Sequence, residues 1–400
     1  MSYTRREFGK LTLAGVPAAL TLGRAESLLG ALARPPRLEG ATAGQAQTKP
    51  NSLINGVQIG AITYSYRSMP DQGAEATLKY ILDSGLSAVE LMDGPAENFA
   101  GAPSGRGGGP GGGGRGPGGG GNRAGGAAGG APELREGEKL GSWNGQPCVI
   151  PAPAGAARGG GAGGRGRGQL TPEQQAAQEE RAKALRDWRM SVSMDRFKQL
   201  RKMYNDAGVT IYAYKSDGMP KNMQTTDAEL DYLFNVASTL GATHTTMELP
   251  GGADAEAMLK RMAQFAEKHK VYVAYHTHAQ GSMNAFDQAF AVSRWNLSNV
   301  DFGHYVAAGN VGGTPMQFLE KHHARIASFH IKDRTTPEHC SLNLAWGTGE
   351  TPIKEILHLV KKNKWKMPAS IEMEYAVPEG SDAVKEVKKC VDYCRAALTS

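Results

Sequence analysis

The feature that most constrains this chain is a regular alternation in its ordered-looking parts. Short runs rich in β-branched and aromatic residues each close on a polar cluster, and a helix-like pattern follows. The clusters in the second half read Met247-Glu248-Leu249-Pro250, Tyr275-His276-Thr277-His278, Asp301-Phe302-Gly303-His304, His330-Ile331-Lys332-Asp333 and Ile371-Glu372-Met373-Glu374-Tyr375. The pattern predicts strands at 57–66, 88–92, 209–214, 244–249, 271–276, 299–304, 326–331 and 369–375, with helical stretches between them. Eight strands alternating with helices over roughly 290 residues predict a (β/α)8 TIM barrel. An open doubly wound sheet is the rival, but no Gly-x-Gly-x-x-Gly follows a predicted strand. Gly85, Gly208 and Gly241 each fall between a helix and the next strand, where helix C-caps are expected.

Two segments stand apart in composition. Thr4-Arg5-Arg6-Glu7-Phe8-Gly9-Lys10 precedes an uncharged stretch at 11–23, and 1–33 resembles a twin-arginine signal peptide. The apolar run is too short for a lasting membrane span, so a periplasmic or otherwise exported protein is expected. Residues 34–55 read as a linker to a barrel domain at 56–400. That domain is interrupted at 101–168 by a Gly-rich insertion holding more than half of the chain's 53 glycines. Such a stretch buries too little apolar surface to offset its ordering entropy, so it is expected to be disordered. Its interruption at 143–150 is expected to dock locally. Charge argues against a nucleic-acid partner. The insertion and the leader carry more than the whole of the net +6, leaving the rest of the chain close to neutral. Four cysteines, with no Cys-x-x-Cys pair, define neither a disulfide framework nor a thiolate metal site.

Strand periodicity states which side chains can converge: His244, Thr246 and Glu248; His276 and His278; Ser328, His330 and Lys332; Ser370, Glu372 and Glu374. In barrels the groups at the C-terminal strand ends form the active site. Carboxylates and imidazoles collected there from several strands point to a divalent metal or an ionic substrate. Tyr64 and Arg67 end the first strand and Glu90 lies in the second. Lys215 follows the third, and His304 follows Asp301. With Lys332 and Glu374 these are the candidate substrate-binding residues. For Lys332 the alternative is a salt bridge with Asp333 or Glu372. His269, His322, His323, His339 and His358 read as surface residues.

The order of these motifs, above all Asp301-Phe302-Gly303-His304 and His330-Ile331-Lys332-Asp333, resembles the xylose isomerase-like barrels of the sugar phosphate isomerase/epimerase family. The resemblance spans about 56–398, apart from the insertion. It implies one Mn2+, Co2+, Mg2+ or Zn2+ held by Asp301, His330 and Glu372, with Glu374 as the alternative on the eighth strand. The fifth strand departs from the family by carrying His where a Glu is usual. The fourth ligand is then either His276 or Glu248. The implied activity is sugar isomerisation or epimerisation through a metal-stabilised enediolate, with Glu372, Glu248 and His278 as candidate catalytic groups. A lyase or hydrolase acting on 3-keto-glycosides is the alternative, because losing a Glu on one side weakens two-base epimerisation. A non-catalytic sugar-binding barrel is a reading of another class. The expected partner is a small carbohydrate, with no nucleic acid; a homo-oligomer is compatible with the sequence.

Overall fold

Eight apolar runs become eight parallel strands in the computed structural model, which describes residues 49–103, 134–152, 171–219 and 221–400. They are β1 Val57–Ile62, β2 Ala88–Met92, β3 Thr210–Lys215, β4 His244–Glu248, β5 Tyr272–His276, β6 Asn296–Asp301, β7 Ile326–Ile331 and β8 Ala369–Ile371. Each pairs with the next, and β8 returns to β1 with Ala369 opposite Ile59, closing a (β/α)8 barrel. The helices are α1 Ala74–Asp83, α2 Asp93–Ala100, α3 Pro172–Ser191, α4 Asp195–Asp206, α5 Asp227–Leu240 and α6 Ala255–His269. They continue with α7 Asp287–Val292, α8 Phe302–Ala307, α9 Pro315–His322, α10 Ile353–Asn363 and α11 Ala383–Thr399. No helix among the described residues is long and apolar enough to cross a membrane.

Local chemistry fixes the helix ends. Thr226 with Glu229 and Thr314 with Gln317 form complete capping boxes at α5 and α9. Gly85, Gly208 and Gly241 all take the left-handed conformation expected of C-caps. Strand alternation then divides the side chains. On β7, Phe329 and Ile331 turn toward the helices, where the Phe329 ring lies 5.5 Å from that of Phe302. Ser328 and His330 turn into the barrel. Burying each large apolar side chain of the outer layer stabilises the fold by about 1.5–3 kcal/mol.

Several boundaries differ from the sequence expectation: β1 ends at Ile62, so Tyr64 lies in a 3-10 turn over Thr63–Tyr66 and Arg67 follows it, and three further differences matter for the site. β6 ends at Asp301 and α8 begins at once, because Asp301 itself caps the helix through Oδ1 to the His304 N–H at 2.7 Å. β8 ends at Ile371, so Glu372 and Glu374 project from the segment beyond it. The Gly-rich insertion, which in sequence reads as following the second strand directly, comes instead after α2, because α2 starts at once at the end of β2. Pro95 lies in the first turn of α2, where proline is tolerated because the N–H groups lack intrahelical partners.

Within the insertion, the segment expected to dock forms a hairpin, Lys139–Trp143 with Gln146–Ile150. It turns on Asn144-Gly145, both at positive φ, as a two-residue hairpin loop requires. Trp143 and Ile150 pack on Leu342 and Leu344, and Cys148 is disulfide-bonded to Cys340, 192 residues away. Spacing gave no sign of that pairing. Cys390 and Cys394 are free and buried in α11. Residues 104–133 and 153–168 of the insertion and the expected signal at 1–33 lie outside the described residues.

Candidate active site

The barrel interior is a layered polar network rather than a hydrocarbon core. In its lower layer His244 Nε2 meets Ser328 Oγ at 2.9 Å, and Asn299 Nδ2 donates to the same oxygen at 2.7 Å. Asn299 Oδ1 lies 3.0 Å from His276 Nδ1, so that nitrogen donates and Nε2 is left free. Burial depresses the His276 pKa to about 4, which keeps the imidazole neutral and able to act as a ligand.

The next layer holds His330. Its Nε2 is 2.8 Å from Glu90 Oε2, and Glu90 Oε1 accepts from Thr246 Oγ1 at 2.6 Å. Its Nδ1 is 3.1 Å from Glu372 Oε2. Burial opposes charge on His330, but the two carboxylates outweigh it and raise its pKa to about 10. Glu372 is likewise buried, yet Lys332 and His330 hold its carboxyl well below the usual range.

His276, Asp301, His330 and Glu372 thus place one ligand atom each within 4.8 Å of one another, and all four are buried. Asp301 Oδ2 faces this point. The Lys332 ammonium lies 2.9 Å away, yet this oxygen accepts no hydrogen bond. A carboxylate oxygen paired with a single ammonium keeps a lone pair open to a second cation. Two imidazoles and two carboxylates suit the first-row divalent ions and Mg2+.

Around this quartet stands a ring of charge. The Lys332 ammonium contacts Glu372 Oε2 and Glu374 Oε2, each at 2.7 Å, and sits 3.0 Å from His304 Nε2. Arg334 Nη1 lies 2.6 Å from His304 Nδ1. On the β4–β5 side Glu248 Oε2 is 3.3 Å from His278 Nδ1, while Glu248 Oε1 is 3.3 Å from Lys215 Nζ. Burial would raise the Glu248 pKa, but Lys215 and the two histidines bring it down to about 2.

A sequence-family model described as xylose isomerase-like TIM barrel matches residues 176–396, more than half of the chain. The chain belongs to this family. No functionally curated protein matches it. Solved structures give weaker likenesses. A sugar phosphate isomerase/epimerase from Parabacteroides distasonis ATCC 8503 is 13% identical with a TM-score of 0.48, covering 85% of this chain and 96% of its own. An L-ribulose 3-epimerase is 11% identical with a TM-score of 0.49, covering 86% and 95%. D-psicose 3-epimerase from Clostridium cellulolyticum H10, solved with D-tagatose, is 9% identical with a TM-score of 0.48, covering 86% and 99%. At these values no argument about substrate rests on them.

Within this xylose isomerase-like barrel the residues singled out from sequence separate by geometry. Of the two candidates for the fourth ligand, His276 lies in the quartet and Glu248 lies outside it, paired with His278 and Lys215. Glu90, read as substrate-binding, is fully buried beneath His330 and orients it instead. Glu374 joins Lys332 and His304 rather than the quartet. Arg67 spans the Tyr64 and Met373 carbonyls, with its guanidinium over the Tyr64 ring, and so braces the end of β8. Lys332 pairs with Glu372, whereas Asp333 accepts backbone N–H groups from Gly347, Thr348, Gly349 and Thr351. His322, read as a surface residue, is buried and bonds the Met283 carbonyl. Sequence reasoning missed Asn299 and Arg334. Asn299 shares the face of Asp301 two residues on, a signal that strand periodicity carries. Arg334 likewise continues the face of His330 and Lys332 two residues on, beyond the predicted end of the strand.

Proposed function

We propose that this chain is a divalent-metal-dependent carbohydrate enzyme that moves a proton at a carbon adjacent to a carbonyl, as a sugar isomerase or epimerase does. The observation that carries this reading is the buried quartet His276, Asp301, His330 and Glu372, with proton-transfer groups on both sides. A divalent ion held there would supply Lewis-acid polarisation of a carbonyl. Glu372 on the β8 side takes the proton. His278, backed by Glu248, stands across the barrel at β4–β5 and can return one. The loss of a Glu on β5, which in sequence speaks against two-base chemistry, is offset in this reading by that His278–Glu248 pair. Lys332 and His304 converge as donors toward the oxygen that gains charge. Tyr64 and Lys215 line the mouth for sugar hydroxyls.

A second reading is favoured by His278 itself. A half-exposed imidazole backed by a carboxylate can protonate a leaving oxygen, as elimination from a 3-keto-glycoside needs. One experiment separates the two. The metal-loaded protein is incubated in D2O with a panel of ketoses and 3-keto-glycosides, and NMR follows deuterium uptake and glycosidic cleavage. Uptake into a free ketose supports the first reading, and cleavage of a 3-keto-glycoside supports the second. No exchange with any panel member contradicts both. Export to the periplasm is also proposed, supported by the leader-like residues 1–33 and by a disulfide of the kind oxidising compartments preserve. Cell fractionation tests it.

A further inference from the structure

His244 is a buried imidazole that the proposed chemistry leaves unused, and its partners link the two ends of the barrel. Thr243 stands exposed just ahead of β4, at the strand ends remote from the quartet. Its hydroxyl donates to the Tyr212 carbonyl on β3 at 3.1 Å. The Thr243 oxygen then accepts from His244 Nδ1 at 2.9 Å. Burial lowers the His244 pKa to about 4, so the ring is neutral and its Nε2 accepts. The donor that it meets is the Ser328 hydroxyl on β7, at 2.9 Å. With its proton committed there, Ser328 Oγ accepts from Asn299 Nδ2 on β6 at 2.7 Å. The Asn299 amide therefore turns its other end, Oδ1, to His276 Nδ1 at 3.0 Å.

All these bonds run in one direction, and the reverse direction fails at a fixed point. Reversal would turn the Asn299 NH2 toward His276, whose Nδ1 also lies 3.2 Å from the Asn299 backbone carbonyl. That nitrogen would face a donor and an acceptor together and satisfy only one of them. Ser328 and Asn299 are fully buried, and a buried polar group that loses its partner costs about 1–3 kcal/mol. Valine and isoleucine at these positions would fill the barrel equally well, but they would leave the amide free to turn.

We infer that Ser328, His244 and Thr243 are positioning residues for His276. Their hydrogen-bonded chain, anchored on the Tyr212 carbonyl, holds the Asn299 amide with its oxygen on the ring, and so keeps the imidazole turned toward Asp301, His330 and Glu372. The three act through Asn299. Their effect on metal binding rests on the proposed metal site, while the direction of the chain does not.

The test is Co2+ affinity of the full-length protein, measured by chelator competition beside the denaturant midpoint of each variant. Ser328→Ala should weaken Co2+ binding about tenfold or more, as loss of support behind a ligating imidazole does. Thr243→Val keeps the shape at a surface position and removes only the hydroxyl. It should weaken binding about threefold or more, and Thr243→Ser should restore the parent affinity. Should Ser328→Ala not fold, Thr243→Val and its serine rescue carry the test. In an Asn299→Ala background, which cuts the chain, neither substitution should change affinity by more than about twofold. Parent-like affinity in either single variant would overturn the inference. So would an effect that persists undiminished in the Asn299→Ala background, the mark of a packing role. A parent that takes up no Co2+ would overturn the metal reading, and this inference with it.

Discussion

At the scale of single residues, the spacing in Asp301-Phe302-Gly303-His304 has a steric reason. A Cβ on Gly303 would collide with Lys332 Cγ and lie 2.8 Å from the Lys332 carbonyl. Gly303 sits in the first turn of α8, where alanine is the better helix former by about 1 kcal/mol. The clash with a buried side chain and backbone outweighs that gain, so Gly303→Ala should cost about 1–3 kcal/mol of stability and reduce kcat/KM at least about tenfold by displacing Lys332. Steady-state kinetics and calorimetry on one preparation check both halves. Glu90 offers a second prediction at this scale. As the carboxylate bonded to the imidazole of the proposed ligand His330, it should orient that ring, so Glu90→Gln should weaken metal affinity by about 10–100-fold. A chelator competition titration measures it. In sequence, Glu90 is indistinguishable from a substrate-binding residue, because periodicity gives the face of a side chain but not its depth in the barrel.

Elements were far more legible. Apolar runs ending in polar clusters located all eight strands, since the alternation of faces and the C-capping glycines are local properties. What sequence missed were the ends, and these belong to tertiary structure. β8 stops at Ile371 because the following chain is anchored outward: the Tyr375 hydroxyl donates to Glu386 Oε2 at 2.9 Å on α11. Burial would raise the Glu386 pKa, but Lys389, Ser381 and Tyr375 together depress it below its ordinary 4.5. A depressed carboxylate contributes stability that is fully present above the unfolded value and lost as pH falls through the folded one. Glu386→Gln should therefore flatten the loss of stability below about pH 4.5, read as denaturant midpoint against pH. The loop after β7 depends on Asp333 in the same way. A Cβ at Gly349 would collide with Asp333 Oδ1 and lie 3.1 Å from the Arg334 carbonyl. Gly349→Ala should cost about 1–3 kcal/mol in chemical denaturation, because it strips backbone donors from a buried carboxylate.

For the molecule as a whole, the alternation of apolar runs with helical patterns led to the barrel, and the strand-end clusters led to the candidate site. The disulfide was not legible, because a pairing across 192 residues depends on where the barrel carries each loop. The choice between His276 and Glu248 was equally closed to sequence. Both end a strand in an acid or imidazole, and only closure of the barrel shows which one reaches Asp301, His330 and Glu372. That quartet is the central claim, and one measurement tests it directly: metal content of the purified protein by plasma mass spectrometry, parent against His276→Ala, Glu248→Gln and Glu372→Gln. The account predicts one divalent ion per chain in the parent and in Glu248→Gln, and loss of most of it in His276→Ala and Glu372→Gln. Full metal content in His276→Ala, or its loss in Glu248→Gln alone, would contradict the account.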